Sequence, residues 1–523
     1  MSRILSSILP PSRLRRFGAT SLLALAALAA PGWAAEASAQ NLAAFEARTT
    51  VHVLPNGWTF IICERPGAPV FSFATQADVG AAQDPKGMTG LAHMSEHMAF
   101  KGTRVIGTSD WAKEGPALEK MDAAYMAWQK AKDARGADPK EVEKLQQAFE
   151  AAQTDAQQYV KPNEFDELVS REGGVGMNAG TSSDATTYYY SLPANKFELF
   201  AYLESERFSK PVFREFYKER DVVIEERRLR TESQPTGRLI ERFINAAFTA
   251  HPYHNAAIGY RSDLERYTMS DSMAFFDKYY APANLVTSIV GGIKAKDIIP
   301  VLDKYFGRIA ARPKPESLRT IEPPQTAEVV VTLRDPAQPI YIEGYHKPAS
   351  TDPAEPAFDA ISDVLTRGRT SRLYRLLVRD KQLAVAIQGG GSFPGAKYPH
   401  LMVLFAVPAR GIKSEQVVEA MRPELERLKT EDITDEEMAR FKTRAKADLI
   451  RSLDSNEGLA ENLANYQTLF GDWRELFRYV ERLDKVTKAD VRKAAAATFV
   501  DANRTVGKIE TATAAASPSG ASR

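Results

Sequence analysis

Two of the chain's seven histidines stand four residues apart in His93-Met94-Ser95-Glu96-His97, with a glutamate beside the second. Residues four apart share one face of a helix, so both imidazoles can reach a single ion. Pro85, Gly87 and Gly90 before the run and Gly102 after it bracket a short helix. Two imidazoles and a carboxylate with an open fourth position make the donor set of a catalytic zinc site. Glu96 lies beside the histidine face, placed as general base toward a water that the ion acidifies.

The third ligand must come from elsewhere in the chain. The best segment is Val212 to Arg230, whose pattern predicts one helix. Val212, Phe216 and Val223 form an apolar stripe, widened by Phe213, Tyr217 and Ile224. Glu219 and Glu226, seven apart, flank that stripe, and Glu225 points to the opposite side. A carboxylate beside a buried face is costly unless paired or bound to metal, which singles out Glu219 and Glu226. An edge glutamate that simply reaches solvent is the alternative for each.

The elements that must hold these groups fall into two related halves. Thr268-x-x-Asp271 opens a helical run that leads to Asn284 and the strand-like LVTSIV. Thr487-x-x-Asp490 opens a matching run that leads to Asn503 and RTVGKI, 219 residues later. Both begin with a capping box, and an offset of this size means a duplicated domain and not a solenoid repeat. Residues 311–328, rich in proline and charge, read as the linker. VHVL and WTFIIC around Pro55-Asn56-Gly57 read as a hairpin, and strands alternate with helices in both halves. The expected fold is α+β: two homologous domains, 40–310 and 329–511, each a largely antiparallel sheet backed by helices.

Residues 111–160 depart from that plan, being rich in Ala, Lys, Gln and Glu with a break at Gly136-Ala137-Asp138-Pro139. They predict a helical-hairpin insertion, with Asp138 as cap and Pro139 in the first turn. Tyr125, Trp128 and Phe149 would serve either a partner or substrate, or the packing of the two helices on each other.

Net charge is +1 and offers no basic excess for nucleic acid. The single cysteine, Cys63, allows neither an intramolecular disulfide nor a thiolate cluster, and reads as a small strand residue. Residues 1–39 carry Arg13, Arg15 and Arg16, then an apolar run from Gly18 to Ala30, then Ala37-Ser38-Ala39. They read as a cleavable signal peptide, too short to span a bilayer, so the expected address is periplasmic, without a stable membrane anchor. Residues 512–523 are expected to be a disordered tail. His52, His346 and His400 are expected to be isolated, and His251 and His254 are too irregularly set to form a helical pair.

HMSEHMAFKGT resembles the inverted zinc motif of the M16 metallopeptidases, the pitrilysin, insulinase and mitochondrial processing peptidase family. The resemblance continues in Gly173-Gly174-Val175-Gly176-Met177-Asn178-Ala179-Gly180-Thr181, in KERDVVIEE, in HPYHNAAIGY and in Arg369 to Tyr374. It implies a zinc endopeptidase with one ion per chain, held by His93, His97 and Glu226, with Glu96 as base and Glu219 as the acid behind the ligands. It further implies that Asn178 positions a peptide added as a β-strand, and that short chains pair to close a chamber. Arg379 matches an arginine that the family brings to the substrate, but Val385 stands where a tyrosine is expected. Valine donates no hydrogen bond, so the expected partner is a second M16-like chain supplying an arginine–tyrosine pair, or a second copy using other donors. A non-catalytic scaffold on the same fold is the competing expectation, although such a chain should have lost the motif.

Overall fold

The computed structural model describes residues 42–512. The signal-peptide reading of 1–39, and all but the first residue of the 512–523 tail, lie outside them. The strands are β1 (Thr49–Val53), β2 (Thr59–Glu64), β3 (Val70–Ala77), β4 (Val175–Thr181), β5 (Thr186–Pro193), β6 (Leu285–Gly291), β7 (Val329–Asp335), β8 (Ile340–Lys347), β9 (Ala384–Phe393), β10 (His400–Pro408) and β11 (Arg504–Thr511). The helices that bear on the site and the junction are α1 (Leu91–Met98), α2 (Trp111–Lys132), α3 (Pro139–Gln157), α4 (Phe216–Arg227), α5 (Pro235–Ala247), α6 (Met269–Tyr279), α7 (Asn456–Phe470) and α8 (Lys488–Thr498).

The fold is α+β with two sheets, in the orders β1-β2-β6-β3-β5-β4 and β7-β11-β8-β10-β9. Apart from β1, the two orders superpose strand for strand. In each, the first of the shared strands pairs parallel with the last in sequence, β2 with β6 and β7 with β11, and the other neighbours are antiparallel. The repeated capping boxes start α6 at Thr268 and α8 at Thr487. The repeated asparagines do the same work in both halves. Asn284 donates to the carbonyls of Tyr279 and Asp78, and Asn503 to those of Thr498 and His346. Each thereby ties the end of a helix to the neighbouring strand, a task that needs two N–H donors on a short side chain.

Both faces of each sheet are covered, and the cover on one face is exchanged between halves. On β2, Phe60 and Ile62 enter the first half's main core, while Ile61 and Cys63 face α7, which comes from the second half. On the second sheet, Met402 and Leu404 enter that half's own core, whereas Ile342, Leu401 and Val403 face α5 from the first half. This explains the unbroken apolar runs FIIC and HLMVLFAV: a strand buried on both sides does not alternate. The approach of α5 is so close that a Cβ on Gly344 would stand 2.8 Å from the Phe243 ring, so glycine is required there.

The hairpin insertion is present as α2 and α3, with Asp138 accepting from the Lys140 amide. Tyr125 and Phe149 are buried, Trp128 stacks on Phe149, and Tyr125 stacks toward Tyr217. These rings therefore pack the two helices on each other and against Tyr217. Residues 311–328 carry no regular structure.

Because Asn284 and Asn503 each satisfy two backbone carbonyls, Asn284→Ala and Asn503→Ala should each cost about 1–3 kcal/mol. The check is the denaturant midpoint of each variant. A neutral result at either position would break the equivalence drawn here.

Candidate metal centre

The motif forms α1, and its start is fixed from outside the helix. Gly90 takes φ 91° at the N-cap, a left-handed conformation that favours glycine. Asp84, buried, accepts the Gly90 and Ala92 amides on its two oxygens, capping the helix with its side-chain carboxyl group. Burial raises its pKa to about 8 against the opposing pull of those amides.

The second contributor differs from the sequence expectation. The helix begins at Phe216 and not at Val212, because Glu215 adopts a left-handed conformation (φ 56°) and ends the run on its N-terminal side. Val212 and Phe213 are buried all the same. Beyond Arg227 the chain continues as a wider turn, Arg228–Glu232.

The structure brings His93, His97 and Glu226 together, with their ligand atoms within 4.8 Å of one another. Glu226 Oε2 lies 3.8 Å from His93 Nε2 and 3.6 Å from His97 Nε2. Donors bound tetrahedrally to one zinc at about 2.0–2.2 Å stand ~3.3–3.5 Å apart, so the two Glu226–imidazole distances suit a shared ion after a small contraction. His97 Nδ1 donates to Glu219 Oε1 at 3.0 Å, which turns its Nε2 toward Glu226. Glu219 is itself held by the Lys101 ammonium at 2.5 Å. Glu226 keeps its second oxygen on Arg230, also at 2.5 Å.

The electrostatics follow from these contacts. Burial opposes charge on His97, but the carboxylates of Glu219 and Glu226 outweigh it and raise the pKa to about 9. His93, buried and beside His97, is lowered to about 4 and is neutral. Burial likewise works against the Glu219 carboxylate, yet His97 and Lys101 pull it down to about 2. Glu226 is lowered chiefly by its hydrogen bond with His97. Glu96 behaves differently: burial raises its pKa, while Thr181 Oγ1 donates to its Oε2 at 2.5 Å.

The other expected residues contribute no ligand atom to this cluster. Asn178 is exposed on β4 and accepts the Ala179 amide with its own side chain. Arg379 is exposed and paired with its neighbour Asp380, and Val385 is exposed on β9. Glu225 is exposed and bonded to Arg228. His52 is not isolated, since its ring lies 2.7 Å from Asp303. His346 and His400 meet backbone carbonyls. Sequence reasoning gave no role to Asp84, Lys101, Thr181 or Arg230. Thr181 stood in a quoted motif, and its pairing with Glu96 needed only the placement of β4 beside α1.

At pH 7 His97 carries a proton, which an ion bound at its Nε2 would displace. Zinc binding should therefore release about one proton, and affinity should rise about tenfold per pH unit between pH ~6 and ~8. Calorimetry in two buffers of different ionisation heat checks this; pH-independent affinity would mean that His97 is not the displaced acid.

A family model described as "Insulinase (Peptidase family M16)" matches residues 60–124, and one described as "Peptidase M16 inactive domain" matches residues 266–445. The zinc protease PqqE of Helicobacter pylori is 28% identical over 436 residues, covering 82% of this chain and 84% of that one. The crystal structure of a protease from Helicobacter pylori superposes with a TM-score of 0.74 at 26% identity, covering 88% of this chain and 99% of the other. The periplasmic protease PqqL from Escherichia coli shares the fold (TM-score 0.65, 16% identity), and the match takes up 89% of this chain but 48% of that one.

Proposed function

The chain belongs to the M16 peptidase family, and from that premise we propose that it is an exported zinc endopeptidase that cuts short or unfolded peptides. The observation that carries this reading is the convergence of His93, His97 and Glu226 beside a glutamate, Glu96, that coordinates none of them. His93, His97 and Glu226 would hold the ion. Bound zinc supplies Lewis acidity, which polarises a scissile carbonyl and acidifies water. Glu96 takes the proton from the attacking water and returns it to the leaving amine, and the Thr181 hydroxyl holds its carboxylate in place. Glu219 fixes the tautomer and orientation of His97.

Substrate handling follows from β4, an edge strand that ends at Thr181. An extended peptide can add to its free edge through backbone hydrogen bonds, which favours unfolded segments over particular side chains, with Asn178 at that edge. Arg379 and Val385 supply no donor at the cluster, which supports a dimer whose other chain contributes the arginine and tyrosine. The double length of the Escherichia coli relative agrees with pairing. A non-catalytic scaffold is the second reading, favoured by the inactive-domain match. That match covers 266–445, outside the segments that carry the histidines and Glu226.

Glu96→Gln should keep the metal and lose about 10²–10⁴-fold in turnover of a quenched-peptide library. Hydrolysis by the unaltered chain no greater than by this variant would favour the scaffold. Metal analysis after dialysis should find Glu226→Gln depleted and Glu225→Gln loaded, and the reverse would mean that the ligand register is wrong.

A further inference from the structure

The ligand helix has two polar faces. Glu219 and Glu226 look toward α1, whereas Tyr217 and Arg220 on the helix, and Arg214 just before it, look toward α2 of the hairpin. Each of the three finds a buried partner on α2. Arg214 makes a two-point ion pair with Glu114 (2.8 and 3.2 Å), Tyr217 donates to Asp122, and Arg220 donates to the Tyr125 hydroxyl. Tyr125 passes on a hydrogen bond to the Glu265 carbonyl, and Asp122 also accepts from Ser270 and the Met269 amide. The exposure of all six partners is 8% or less.

Arg214 also closes the loop behind the motif. Its guanidinium donates to the carbonyls of Lys101, Thr103 and Ile106. Gly102 and Gly107, both at positive φ, make room for it: a Cβ at either would come within 3 Å of Nη1. Lys101, fixed by that contact, reaches Glu219, and Glu219 holds His97.

Resting on the zinc reading above, we infer that the hairpin braces the metal centre: Glu114, Asp122 and Tyr125 are positioning residues that set its affinity for the ion. Two routes carry the effect, α4 to Glu226 and Arg214–Lys101–Glu219 to His97. A group of hydrogen-bonding partners behind metal ligands typically governs affinity by about 10–100-fold.

The test is zinc affinity of the full mature chain, measured by competition with a chromophoric chelator, alongside the unfolding midpoint. Tyr125→Phe and Asp122→Asn should each weaken zinc about tenfold. Glu437→Gln breaks a comparably buried pair with Arg372 in the second half, and should lower the midpoint while leaving affinity unchanged. Glu114→Ala strands a buried guanidinium and can fail to fold; Tyr125→Phe removes one oxygen and keeps the packing. Unchanged zinc affinity in Tyr125→Phe and Asp122→Asn, with zinc lost in Glu226→Gln, overturns the brace and leaves the site standing. Zinc retained by Glu226→Gln overturns the site reading and the brace with it.

Discussion

Everything in the first half is arranged around one electrostatic difficulty: two imidazoles and a carboxylate, from segments more than a hundred residues apart, must stay within 4.8 Å of each other. The imidazoles repel one another when charged, and the carboxylate loses hydration. The difficulty is resolved by asymmetry. His93 is neutral and His97 carries a proton between two carboxylates. A positive charge is therefore already part of the site's balance. Lys101 and Arg230 sit outside the donor set, where they hold Glu219 and Glu226 without competing for the ligand atoms.

How much of this was legible in sequence depends on how local each signal is. The His93–His97 spacing and the capping boxes at Thr268 and Thr487 are contained within single turns of helix, and the structure has them where the spacing puts them. Glu219 and Glu226 were legible as flank positions, although the helix start was misplaced by four residues. Nothing in the residue pattern marks the left-handed turn at Glu215. Thr181 and Asp84 act across a sheet edge and a loop, so their roles appear only when tertiary neighbours are known. The sheets were read as largely antiparallel, and the parallel pair in each was not anticipated. It arises because the last strand of each half returns beside an early one, β6 beside β2 and β11 beside β7.

The exchange of α5 and α7 is the least legible feature. An amphipathic helix announces that it will be covered, not by which sheet. Strand composition did hold part of the message, since FIIC and HLMVLFAV are too uniformly apolar for strands with one wet face. The same exchange gives the second half a structural duty toward the first. Asp184, in the turn after Thr181, accepts amides from Ala396 and Lys397, so the half without the motif also grips the strand that steadies Glu96.

That reciprocity has a consequence for how the chain comes to exist. Ile61, Cys63, Ala74 and Val290 stay bare until Leu459, Leu463 and Trp473 have been synthesised. For the intervening stretch of translation, the first sheet is a sticky platform with no lid. The second face of each sheet is therefore completed only when both halves are present, and neither half buries all of its own apolar surface alone.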